Sequence, residues 1–140
     1  MDWRTQTTAN PGKAHDMNIL IWIITALLAA IFAMAGIMKL TRSKEQLVNS
    51  GLGWAADYPP AAIRLIAAAE LLAALGLILP ALFGIAEILV PLAATGLAII
   101  MIGAIITHAR RHETQMIIIN LILLAAAVFV AVMRFGPEAF

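Results

Sequence analysis

Charge is missing from this chain over stretches that no water-facing domain leaves bare. Residues 17–38 contain no Asp, Glu, Lys or Arg, and the same is true of residues 71–86, 88–107 and 116–133. About 20 consecutive apolar residues make a helix long enough to cross the hydrocarbon core of a bilayer. Spanning chains are limited to helices and closed barrels, because every backbone donor and acceptor must be satisfied without water. Composition agrees with the helical choice. Of 140 residues, 63% are hydrophobic and 12% charged, too few charges to cover a soluble surface, where about 25% is usual. The chain predicts a single all-α domain, an integral membrane four-helix bundle whose core is completed by lipid. Membrane lipid is therefore the first expected partner. The expected spans are residues 17–40, 61–79, 84–109 and 116–133.

The net charge of +1 argues against a nucleic-acid partner. The chain has no cysteine, which excludes disulfides, thiol catalysis, cysteine-ligated clusters and covalent haem attachment.

Residues 1–16 are polar and contain Asn10-Pro11-Gly12, a turn signal, so they predict a flexible tail; residues 135–140 predict a shorter one. In the first span, Ala33-Met34-Ala35 before Gly36 imitates a signal-peptidase site. The apolar stretch exceeds the roughly 7–15 residues of a signal core, and Asp16 is a poor neighbour for one, so a retained first helix is the expectation. The long connection 41–60 predicts a short helix lying in the interface, with Leu47 and Val48 towards lipid. Trp54 and Tyr58 would mark headgroup depth, and Pro59-Pro60 the start of the second span. Pro80 is expected to stop that span. Pro91 interrupts the third apolar region. Either a kinked helix begins near Gly84, or residues 81–90 lie at the surface and the span begins at Pro91.

Lys39, Arg42, Lys44, Arg64, Arg110 and Arg111 fall on one side of such a bundle, and Arg4, Lys13 and Arg134 on the other. The positive-inside rule then places loops 41–60 and 110–115 in the cytoplasm and both termini outside, in a bacterial-type inner membrane. Small residues supply contact faces where helix backbones can approach: Ala29, Ala33 and Gly36 on the first helix, Ala67, Ala73 and Ala74 beside Glu70, and Gly96 with Gly103 on the third.

Glu70 stands at the midpoint of the second span. A charge there costs about 2.5–3.5 kcal/mol on insertion scales, so such a residue faces the protein interior with a partner or a proton. At 1.5 Å per residue it lies roughly 14 Å below the cytoplasmic end, with Asn120 roughly 6–9 Å inside the fourth helix from the same side. Lys39 and His108 sit near the same ends of the first and third helices, and Arg64 one turn into the second. Asn120 and Lys39 are the expected partners of Glu70; Arg64 is turned about 120° away. The cluster suits binding of a quinone or lipid head, proton relay, or a substrate path. The plain alternative is a neutral acid that holds the helices in register, though interhelical hydrogen bonds in membranes average only about 0.6 kcal/mol. His108 and His112, four apart with Glu113 near, form a conceivable metal pair. Two histidines do not close a site, so a solvated basic turn is the expectation and no metal is assigned. The scattered methionines read as packing, Glu87 as a solvated helix-end group, and no nucleotide loop, catalytic triad or metalloprotease motif is present.

At these residues the chain resembles the DoxX-like family of small four-helix membrane proteins. The likeness is carried by Ala35-Gly36-Ile37-Met38-Lys39-Leu40, by Glu70-Leu71 with Gly76-Leu77-Ile78-Leu79-Pro80, and by Pro91-Leu92-Ala93-Ala94 with Met101-Ile102-Gly103-Ala104. It continues through His108-Ala109-Arg110-Arg111-His112-Glu113 and Asn120-Leu121 to Arg134. The family takes its name from similarity to membrane subunits of thiosulfate:quinone oxidoreductases. The resemblance implies that Lys39, Glu70, His108 and Asn120 form a quinone-facing or structural cluster. The leading expectation is a non-catalytic membrane subunit or accessory protein that binds a quinone or lipid head group at the Lys39, Glu70 and Asn120 cluster, carries no intrinsic cofactor and works with a redox partner protein. Two further expectations stand beside it: a small proton-coupled transporter acting as a homo-oligomer, and a membrane chaperone or assembly factor.

Overall fold

The computed structural model describes residues 10–140. Four helices long and apolar enough to cross a membrane make up the molecule: α1 (Pro11–Thr41), α3 (Pro60–Phe83), α4 (Leu89–Arg110) and α5 (Thr114–Phe135). A six-residue helix, α2 (Lys44–Asn49), and a 3₁₀ turn (Gly53–Asp57) lie between the first two spans. The chain is an all-α four-helix membrane bundle. α1 packs along α3 and α4 along α5, with α3 against α4 and α1 against α5 closing the ring.

The core runs through Leu28, Phe32, Leu77, Val90, Leu97, Met101, Ala127 and Val130. Outside it, large apolar side chains stand bare, Met34 at 73% and Leu72 at 69% exposure. In water such a surface would drive aggregation; around a membrane bundle it is the face that lipid covers.

Element boundaries differ from expectation for identifiable reasons. The part of the polar tail that is described is helical from Pro11 onwards; residues 1–9 lie outside the described residues. Asn10-Pro11-Gly12 is an N-terminal cap. The Asn10 side chain accepts from the Gly12 N–H at 3.1 Å, and Pro11 occupies the first helical position, where its missing donor costs nothing. Pro80 does not stop α3. It lies one turn from the end, and the helix closes at Gly84, whose left-handed backbone (φ 63°) lets the Gly84 and Ile85 N–H groups return to the Pro80 carbonyl. Pro91 kinks nothing: α4 begins at Leu89, so Pro91 falls in the first turn, where N–H groups have no intrahelical partner. Residues 84–88, placed in the third span by expectation, form the turn between α3 and α4, and Glu87 belongs to it.

The connection α1–α3 also differs. Ser43 and Gln46 form a reciprocal capping box on α2. Leu47 is fully buried against Ala55 and Ile63, with half-buried Val48 packed beside it, so neither reaches out to lipid. The helix is too short to lie as an amphipathic strip, and its one buried side chain, Leu47, plugs the end of the bundle. Trp54 and Tyr58 pack edge to face at 5.8 Å over the same cluster.

Close backbone approach joins two of the expected small-residue faces, those of Gly36 and Ala67, and is absent at the third. A Cβ built at Gly36 would sit 2.8 Å from the Ala67 carbonyl oxygen, whereas nothing lies within 4 Å of one at Gly96 or Gly103. Substituting Leu at Gly36 overpacks α1 against α3 and is expected to cost about 1–3 kcal/mol. Gly96→Ala is expected to be neutral or to gain about 0.5–1 kcal/mol, since alanine is the better helix former. Thermal unfolding of the detergent-solubilised protein checks both, and equal melting of the two variants would refute the close contact.

Candidate functional site

Gly36 sets the site in motion. With α3 drawn against α1 at that level, Lys39, one turn further along α1, turns inward towards α3. Its Nζ donates to both oxygens of Glu70, 2.7 Å to each, and both side chains are almost fully buried. The ammonium also sits 5.6 Å from the Trp54 ring centroid, a cation–π contact from the loop above. Of the two expected partners of Glu70, Lys39 is the one in contact. Asn120 instead donates from Nδ2 to the Met116 carbonyl of its own helix at 2.9 Å. That bond uses one of the two Nδ2 N–H groups and leaves Oδ1 without a hydrogen-bond partner among the described residues. Arg64 is exposed on the outer face of α3 and takes no part.

His108 is buried near the end of α4, and its Nδ1 meets Oε2 of Glu113 across the α4–α5 turn. The Arg111 Nε donates to Oε1 of the same carboxylate at 2.8 Å, and its Nη1 donates to Oδ2 of Asp57 at 2.7 Å. This geometry needs the turn. His112 adopts a left-handed backbone (φ 56°), which points its ring outward and swings Glu113 back over His108. The two histidines therefore do not share a face, and among the described residues no three His, Cys, Asp or Glu side chains gather as a metal site. The Arg111 hydrogen bond, followed by the one to His108, holds the Glu113 carboxyl below its ordinary value. Glu113 and then Asp57 raise the Arg111 guanidinium in turn.

A cavity of about 380 Å³ lies beneath this loop and is lined by Lys39, Glu70, His108 and Asn120 together. Its remaining wall is largely apolar, and includes Ile31 and Gly103, both exposed, so it reaches the lipid-facing side of the bundle. Pockets for small organic ligands span about 300–1,000 Å³, with apolar walls and a few converging polar groups. Three residues that the sequence did not single out for the site complete it. Trp54 and Tyr58 roof the cavity, and the Tyr58 hydroxyl shares a 2.7 Å hydrogen bond with Thr107, which also lines it. Two aromatics four residues apart in the long connection 41–60 were the available signal.

The arrangement defines a membrane-embedded bundle with one amphipathic cavity, capped by a loop that two side-chain links clasp to α4. The chain belongs to the DoxX-like family, whose family model matches residues 23–130. No curated protein and no solved structure matches it.

The clasp has a pH signature. A carboxyl held below its ordinary value adds stability above that value, and the contribution fades as pH falls through the depressed folded value. Glu113→Gln is expected to lower the melting temperature at pH 7, and wild type is expected to converge on the variant only as pH is taken below the ordinary glutamate value, about 4.3, and on through the depressed folded value. Parallel curves for the two proteins over that range would show that the Glu113 contacts contribute nothing to holding the loop.

Proposed function

We propose that the protein is a non-catalytic accessory subunit that binds the polar head of a quinone in this cavity and works with a redox partner protein. The observation that carries the reading is the convergence of the Lys39–Glu70 pair, His108 and Asn120 on one otherwise apolar cavity. A quinone is an apolar tail with a flat ring bearing two carbonyl oxygens. It enters from lipid and asks for donors when oxidised and acceptors when reduced. Glu113 fixes the proton on His108 Nδ1, so neutral His108 offers an Nε2 lone pair to a quinol hydroxyl, and charged His108 offers a donor to a quinone carbonyl. Asn120 Oδ1 accepts, and the Lys39 ammonium places positive charge beside a ring oxygen. Electrons would come from the partner.

Proton-coupled transport fits less well. Both Glu70 oxygens are engaged by Lys39, so the carboxyl would have to break a buried pair at each cycle. The cytoplasmic placement of loops 41–60 and 110–115, and of the partner's docking side with them, forms part of the same proposal.

Single variants at the pair confound folding with binding. Lys39→Met or Glu70→Gln leaves one buried group uncompensated, at a cost of about 3–5 kcal/mol. Replacing both, Lys39→Met with Glu70→Leu, is expected to recover most of that stability, because well-packed apolar residues substitute for a buried pair at little cost. Titration of a short-chain quinone into the detergent-solubilised double variant should show binding weakened at least tenfold, about 1.4 kcal/mol or more. Undiminished binding by the stable double variant would refute the site. Proton-coupled flux in liposomes that is lost in the double variant would move the assignment to transport.

A further inference from the structure

At the opposite end of the bundle a second polar cavity is built around Arg134, which lies beyond the residues matched by the family model. Arg134 sits in the last turn of α5 and is only 5% exposed. Its guanidinium is held in place from several directions. Nη1 donates to the Glu138 carbonyl at 2.7 Å, the Phe140 ring lies 4.1 Å from the guanidinium carbon and the Trp22 ring 5.7 Å, and the two rings stand edge to face. Among the described residues no carboxylate forms an ion pair with it. Its Nε is buried with no hydrogen-bond partner among the described residues.

The pattern of used and unused donors is specific. Nη1 is committed to a carbonyl, and the Nε–Nη2 edge is unspent. That edge is the fork which meets two oxygens of a carboxylate or phosphate in parallel. The cavity, about 480 Å³, is lined by His15, Asn18, Trp22, Arg134 and Glu138 among others. His15 and Asn18 belong to the start of α1, where the chain passes from polar residues into the apolar span.

We infer that this cavity is an anion site that takes the phosphate of a phospholipid headgroup at the Nε–Nη2 edge of Arg134. Free phosphate offers the same oxygens. Two features favour the lipid. The site lies at the end of an apolar span, at the depth of headgroups. The Glu138 side chain in its wall also disfavours a second negative charge, so a diester with one charge suits the cavity better than inorganic phosphate near its second ionisation. His15 and Asn18 supply further donors for the non-bridging oxygens.

Native mass spectrometry of the full chain in dodecyl maltoside tests this, with dioleoyl phosphatidylglycerol as probe and dioleoylglycerol as the phosphate-free control. Wild type is expected to retain one phosphatidylglycerol, with binding at least tenfold weaker in Arg134→Gln and no retention of dioleoylglycerol. Competition by millimolar inorganic phosphate would support the anion site and assign it to the free ion. Equal retention of phosphatidylglycerol by wild type and Arg134→Gln, or retention of dioleoylglycerol as strongly, would overturn the inference. Should Arg134→Gln fail to stay monodisperse, Asn18→Leu leaves α5 untouched and is expected to weaken retention several-fold; unchanged retention there overturns the proposal as well.

Discussion

A charged pair buried among apolar helices governs the rest of this structure. Lys39 and Glu70 each enter a membrane helix at a cost that neither repays alone, and each is tolerable because the other is 2.7 Å away. The pairing demands that α1 and α3 lie close and in one register. Gly36 provides the closeness, since any larger residue would press on the Ala67 carbonyl. Buried pairs contribute little net stability compared with apolar replacements of the same volume. A bundle selected for packing alone would have no need of this one. Its position in the wall of a cavity gives it a reason to be there.

The cavity in turn explains the asymmetry of the bundle. Towards the α3–α4 turn the interior is filled by Leu28, Leu77, Val90 and Val130. Towards the other end the helices part around His108, Asn120 and the pair, and α2 with the 3₁₀ turn covers the opening. The cover is held by polar links at its edge (Asp57 to Arg111, Tyr58 to Thr107) over a small apolar plug of Leu47, Ala55 and Ile63. Links of this kind contribute little where they are exposed, so the apolar plug carries most of the hold. Arg111 and His108 share the Glu113 carboxylate, so the state of the cavity histidine and the state of the clasp are joined through one group.

The spans were legible in the sequence because absence of charge over a bilayer's thickness admits few alternatives. So was the gathering of Lys39, Glu70, His108 and Asn120 at one end, since helical rise alone sets their depth. Which of them touch was less so. Asn120 has a carbonyl of its own helix within reach at Met116, and that local bond competes with any partner across the bundle. Arg64 follows the 120° rotation that argued against it. The proline positions misled because the penalty of proline depends on its place in the helix. Pro91 sits where no donor is needed, and the residue that ends α3 is Gly84, not Pro80. The inward turn of Leu47 was hidden because nothing in a six-residue helix distinguishes its buried face before the rest of the fold is known.

The two polar ends of the molecule answer different demands of the same solvent. Arg134 is placed where the bilayer itself offers phosphate, so an unspent guanidinium edge there needs no partner from within the chain. Glu70 is placed at the middle of its span, where the bilayer offers nothing polar, and Lys39 reaches it from the last turn of α1, so the two satisfy each other. A ligand that replaces part of that mutual satisfaction must bring its own polar head into hydrocarbon and carry an apolar body with it. On the function proposed above, the depth of Glu70 would favour an amphipathic lipid-soluble ligand over a water-soluble one.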